Sequence, residues 1–134
     1  MVKVRLYLVR HGKTMFNTIG RAQGWSDTPL TAEGERGIQE LGIGLRESGL
    51  QFERAYSSDS GRTIQTMGII LEELGLQGKI PYRMDKRIRE WCFGSFDGAY
   101  DGDLFMGIIP RIFNVEHVHQ LSYAELAEGL VEVD

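Results

Sequence analysis

A single cysteine, Cys92, stands among the 134 residues. No intrachain disulfide can form, and a lone thiol reads as a buried side chain of a reducing compartment. Basic charge is not in excess: the net charge is -4 and the sequence pI about 5.4. That argues against a nucleic-acid surface, which needs a basic stripe, and leaves room for a small, locally positive pocket. No apolar run approaches the length of a membrane span. Lys3 and Arg5 interrupt the first apolar stretch, which excludes a signal-peptide core there, so the expected location is the cytoplasm. Repeats, low-complexity tracts and linkers are also missing, and residues 1–134 read as one domain. Histidine is scarce, with only His11, His117 and His119.

What is present alternates between strand and helix patterns. Val2, Val4, Leu6 and Leu8 alternate with Lys3, Arg5, Tyr7 and Val9, a period of two that predicts a strand. It runs into Arg10-His11-Gly12. Residues 12–30, with Gly20, Gly24, Trp25 and Pro29, read as a loop over one end of a sheet. Thr31 is a good N-cap, with Glu33 and Glu35 in the first turn, and Ile38, Leu41, Gly42 and Leu45 follow at helical spacing until Gly49. Phe52 to Ser57 predicts a second strand. Asp59 or Ser60 then caps a helix whose expected apolar face is Ile64, Met67, Leu71 and Leu74, stopped by Gly75. Lys79 to Met84 predicts a third strand, with Pro81 suggesting an edge. Arg89 to Gly98 suits a structured loop, Asp103 to Phe113 a helix interrupted by Pro110, and Ser122 to Glu125 a capping box flanked by a Leu121/Leu126 staple. Strands alternating with helices imply right-handed crossovers and an α/β fold with a mainly parallel sheet.

In open parallel sheets, ligands bind beyond the carboxyl ends of the strands. Arg10 and His11 end the first strand there. Arg62 lies in the first turn of the helix after the second, and Glu90 follows the third. Two arginines, a helix N-terminus and free amides around Gly12 predict an anion site, and planar guanidinium groups favour phosphate. A neutral histidine, with one ring nitrogen held by an acceptor, could attack phosphorus with the other. A carboxyl group at Glu90, its pKa raised beside phosphate, could protonate the leaving oxygen. Each residue has an ordinary reading too: a capping or core histidine, a solvated helix arginine, a weak surface ion pair. Their convergence on one end of the sheet is what favours chemistry.

Four blocks then carry a resemblance: Leu8 to Thr14 with Asn17; Gly24 to Thr31 with Gly34; Ser57 to Thr66; and Arg89 to Gly98. In this order they resemble the histidine phosphatase superfamily, in its phosphoglycerate mutase-like branch. The resemblance implies a three-layer α/β/α fold and a phosphorylated intermediate on His11. It implies that Arg10 and Arg62 clamp the phosphoryl oxygens and that Asn17 contacts phosphate. Gln23 and Gly24 would meet the substrate, and Glu90 would be the proton donor. Lys13 stands where many members carry glutamate. No metal and no organic cofactor is implied. The substrate would be a small phosphorylated metabolite, with neither nucleic acid nor membrane as partner. The aromatic-rich block after Glu90 resembles the phosphatases, so phosphomonoester hydrolysis is expected. Phosphoglycerate mutase-type transfer is the enzymatic alternative, and a non-catalytic phosphate- or protein-binding fragment the other.

The resemblance also implies a second histidine, after a later strand and followed by glycine, holding a phosphoryl oxygen. His117 and His119 do not fit: no strand leads into them and no glycine follows. They read as a surface loop, and no Cys or third His supports a metal pair. The absent strand would lie between the first and second strands of this chain. The fold is therefore expected to be incomplete at its C-terminus, these residues being the N-terminal portion of a longer protein. Otherwise strand exchange with a partner or a shifted sheet would be required, and a homodimer is left open.

Overall fold

Two helices laid against each other position everything that follows. The computed structural model describes residues 1–132. Helix α2, Ala32–Glu47, begins where the sequence predicts: the Thr31 hydroxyl accepts from the Gly34 amide, and Glu33 and Glu35 sit in the first turn. Its buried positions are Gly34, Ile38 and Gly42, one every four residues. Helix α3, Gly61–Glu73, packs on this face. A Cβ at Gly42 would stand 2.7 Å from Glu73 Cβ, so the helices cross closely there because glycine lets them. Gly49, at φ +71°, ends α2 through a backbone bond from its amide to Arg46 O.

The buried face of α3 shares only Leu71 with the predicted one. Its fully buried positions are Arg62, Thr66, Ile70 and Leu71, while Ile64, Met67 and Leu74 are half-buried. Hydrophobic periodicity missed this because the first two buried positions are polar and have found partners. The face changes from polar at the N-terminal end of α3 to apolar at its C-terminal end, and the polar end is where the candidate site lies.

Strand β1, Ala55–Ser57, precedes α3, and β2, Tyr82–Met84, follows it. They pair in parallel, Ala55 with Tyr82 and Ser57 with Met84, as a β–α–β crossover requires. Residues 12–30, expected to be loop, contain one short helix, α1, Met15–Ile19, capped by Thr14 and closed by Gly20 in the left-handed conformation. Isolated bridges join Thr14 to Leu30 and Arg21 to Tyr100, pinning the loop at both ends.

The first predicted strand is a correction. Residues 2–9 carry no ladder partner among the described residues. Val2, Val4, Leu6 and Leu8 are 90, 77, 77 and 93% exposed. Period two makes a strand only when another backbone accepts the ladder, and the two described strands pair with each other. Tyr7 packs edge-on to Phe52 with ring centroids 5.4 Å apart.

Beyond β2 the chain builds a second small core. Arg89 to Gly98 is a structured loop, as expected, with one 3-10 turn at Gly94–Phe96. Helix α4, Asp101–Asp103, runs through a π turn at Leu104–Ile108 into α5, Ile109–Ile112. The wider turn accommodates Pro110, which lacks an amide hydrogen to donate. Leu104 and Ile109 are fully buried against Ala22, Phe93 and Leu126. Helix α6, Tyr123–Glu132, starts at the predicted capping box: the Ser122 amide donates to Glu125 Oε2, and the Glu125 amide to Ser122 Oγ. Leu121 and Leu126 both join this core. No helix among the described residues is long and apolar enough to cross a membrane.

Candidate active site

His11 sits at the end of the unpaired segment, half-buried, yet its backbone is held firmly. The Gly12 amide donates to Thr66 Oγ1 at 3.0 Å, and the Thr66 hydroxyl donates to Arg62 O at 2.8 Å. The histidine segment is thus fastened to the turn of α3 that carries Arg62. On its other side it packs on α2. A Cβ at Gly12 would meet Ile38 Cγ1 at 2.9 Å and Gly34 O at 3.0 Å, and a Cβ at Gly34 would overlap Lys13 O. Two glycines facing each other let helix and loop touch backbone to backbone.

The ring is oriented by its neighbour. Nδ1 lies 2.8 Å from Gly12 O. A carbonyl oxygen only accepts, so Nδ1 carries the proton and Nε2 of the neutral ring presents its lone pair. The pKa of His11 is lowered from the ordinary 6.5, first by burial, against the raising effect of the Gly12 hydrogen bond. The charges of Arg62 and Arg10 lower it further and that of Glu90 raises it. All three side chains therefore act on the imidazole through space. Arg10 and Glu90 are exposed, and Glu90 Oε1 accepts from the Trp91 amide at 2.9 Å.

An imidazole attacks only in its neutral form, so the acid limb of any reaction that His11 performs is expected below pH 6.5. The imidazole resonances followed by NMR should titrate with a midpoint under that value, and Arg10→Gln should move it upward. The sign for stability agrees. The unfolded chain takes up this proton first, so the contribution is present above pH 6.5 and is lost as the pH falls through the lower folded value.

Arg62 is 2% exposed. Its Nη1 donates to Ser26 O at 2.8 Å and to Asp27 Oδ1 at 3.1 Å, and its Nη2 to Gly24 O at 2.9 Å. Nε is buried with no acceptor among the described residues. Three of five N–H groups are committed, and the loop 24–27 wraps the guanidinium.

The expected anion site is narrower than the sequence suggests. The Gly12 amide is not free, because Thr66 takes it. The N-terminus of α3 is already met by an acid, since Asp27 Oδ1 accepts from the Arg62 amide at 3.3 Å. A Cβ at Gly61 would overlap Asp27 Oδ2, which shows how closely that carboxylate lies against the first turn.

The remaining candidates divide. Gly24, at φ +54°, faces Asp97, and its carbonyl serves Arg62. Gln23 is buried, its Oε1 accepting from Thr28 Oγ1, so it stabilises the loop from within. Asn17 spends Oδ1 on the α1 capping box, accepting from the Thr14 amide and hydroxyl at 3.0 Å each. His117 caps and His119 lies within an exposed 3-10 turn, Val118–Gln120, with their rings stacked on each other. Beside Arg62 opens a cavity of about 290 Å³, lined in part by Trp25, Asp59, Ser60, Arg89 and Glu90. Arg89 makes a two-point ion pair with Asp59 and lies over the Trp25 ring, whose Nε1 donates to Glu90 O. Thr66 and Asp27 were missed as site residues. Thr66 had a signal: it follows Arg62 by four residues and so shares its helix face.

The pattern of the histidine phosphatase superfamily (branch 1) matches residues 6–104. The chain belongs to this superfamily. Its similarity to a probable phosphoglycerate mutase, GpmB, of Salmonella choleraesuis is 47% identity over 58 residues, 43% of this chain and 26% of that protein. Among solved structures it resembles phosphoglycerate mutase from Bacillus anthracis, with TM-score 0.79 and 35% identity over 92% of this chain and 54% of the other. It also resembles a mycobacterial glucosyl-3-phosphoglycerate phosphatase, with TM-score 0.60 and 29% identity over 70% of this chain and 43% of the other. The fold of this superfamily member is therefore the α/β fold of the phosphoglycerate mutases. The chain spans about a quarter of that curated relative and about half of the solved structures.

Proposed function

We propose that this superfamily member carries the nucleophilic half of a phosphatase acting on a small phosphomonoester. The observation that carries this reading is the Nδ1–H bond of His11 to Gly12 O, which leaves the Nε2 lone pair uncommitted, while the charges of Arg62, Arg10 and Glu90 act on the ring. In the first step Nε2 attacks phosphorus in line. The N–P bond forms, the P–O bond to the alcohol breaks, and Glu90 passes its proton to the leaving oxygen. Arg10, Arg62 and Asn17 hold the transferring oxygens; Asn17 would use its Nδ2, the end that the capping box leaves over. In the second step water attacks phosphorus, Glu90 recovers a proton from it, and the N–P bond breaks to give inorganic phosphate.

Burial supports the first step, because a desolvated, uncharged imidazole is the attacking form. The aromatic residues Trp91, Phe93 and Phe96 beyond Glu90 favour a phosphatase. The mutases among its relatives support a second reading, in which the phosphoryl group returns to bound product.

A brief reaction with p-nitrophenyl phosphate, quenched in alkali, is expected to leave a phosphoramidate signal in the phosphorus NMR spectrum. Tandem mass spectrometry should place it on His11. Turnover with no phosphoramidate, or with phosphate on another side chain, would end this reading. Incubation with 3-phosphoglycerate separates the two activities, since hydrolysis releases inorganic phosphate and a mutase returns an isomer.

A further inference from the structure

We infer that Asp27 is a positioning residue for Arg62: its carboxylate holds the guanidinium so that the Nε edge is the part left for a phosphoryl oxygen. The inference rests on the phosphatase reading for the identity of that oxygen, but not for the geometry. A single oxygen, Asp27 Oδ1, accepts both the side-chain Nη1 of Arg62 at 3.1 Å and its backbone amide at 3.3 Å. The two bonds span the side chain from root to tip and close it into a fixed loop. Ser26 O and Gly24 O, from the same turn as Asp27, take one N–H each from Nη1 and Nη2. The two uncommitted hydrogens are on Nε and Nη2.

Leaving Nε–H buried without an acceptor is costly for a charged group. A side chain this enclosed would shed that cost by rotating, were it free to. The three acceptors on residues 24–27 prevent this, and two glycines permit the fit. Gly24 turns the loop at φ +54°, and Gly61 leaves space for Asp27 Oδ2 against the first turn of α3. Asp27 also supplies the negative charge that the helix N-terminus would otherwise draw from a ligand. The phosphoryl group is thereby directed to the guanidinium edge and away from the helix end. A ligand oxygen that reaches Nε gains a charge-assisted bond from a donor already desolvated and held in place, so little ordering remains for it to do.

The test reads the Arg62 Nε–H directly. In the wild-type chain its ¹H–¹⁵N resonance is expected to be resolved and slow to exchange with water, and to shift when inorganic phosphate is added. In Asp27→Ala it should exchange at least about tenfold faster, and phosphate affinity should fall about tenfold. Asp27→Asn keeps an acceptor oxygen and should restore both to within about threefold. That rescue separates positioning from a general loss of fold. An unchanged Nε–H exchange rate and phosphate response in Asp27→Ala overturns the inference. So does an Asn variant that behaves like Ala while melting like the wild type. If Asp27→Ala frees the Nε–H but neither chain binds phosphate, the positioning stands and the phosphatase reading fails.

Discussion

His11→Ala is expected to abolish the phosphoenzyme and to lower kcat by at least about 10⁴-fold, with little change in stability. The two halves of this expectation come from the same local geometry. The imidazole makes one hydrogen bond, to the carbonyl of the next residue, and is half-buried. Losing it costs the fold about 1 kcal/mol, partly offset because a desolvated ring no longer has to be kept uncharged. The backbone around it is held by the Gly12 amide to Thr66 and by the packing of Gly12 on α2, neither of which involves the side chain. Nothing else described near Arg62 replaces that lone pair: Glu90 is exposed and its Oε1 accepts from the Trp91 amide, and the other two histidines lie on a separate exposed turn. Single-turnover kinetics beside urea unfolding would measure both. A variant that keeps turnover within tenfold of wild type would remove His11 from the chemistry.

Gly34→Ala is expected to do the opposite, damaging fold and site together. An added Cβ would overlap Lys13 O and stand 2.8 Å from Lys13 N. Both are backbone atoms that no rotamer change can clear. Helix α2 would have to move away from residues 11–14, loosening the contact of Gly12 with Ile38 and withdrawing support from His11. Overpacking of this kind costs roughly 1–3 kcal/mol, and more where backbone must shift. The neighbouring test within the same helix is Gly37→Ala, where a Cβ would meet nothing within 4 Å. That change should stabilise by roughly 0.5–1 kcal/mol through helix propensity alone. Thermal melts of the two variants should therefore move in opposite directions. If Gly34→Ala melts no lower than the wild type, the close approach of α2 to the histidine segment is wrong.

The two glycines look alike in the sequence, and only the position of Lys13 tells them apart. The same holds elsewhere. The residue types of the site were legible: a histidine at the end of an apolar alternation, an arginine in the first turn of a helix, and an acid after the third predicted strand. The β1–α3–β2 crossover carries the start of α3, with Arg62, and the segment after β2, with Glu90, to one edge, whereas the histidine segment reaches α3 through the bond from the Gly12 amide to Thr66. Helix starts at Thr31 and Ser122 were legible because a cap is a local bargain between a side chain and the amides two or three residues on.

What local pattern could not contain was anything that depends on a partner far along the chain. Residues 2–9 alternate as a strand should, but a strand is a relation between two backbones, and the described residues offer it none. Arg62 and Thr66 are polar and fall outside the hydrophobic periodicity of α3; acceptors from loop 24–27 and a donor at Gly12 satisfy them in their buried positions. The sequence alone determined which chemical groups make up the candidate site and in what order they stand along the chain. The tertiary structure decided their state, because protonation, burial and the committed edge of a guanidinium are set by neighbours that sequence distance conceals.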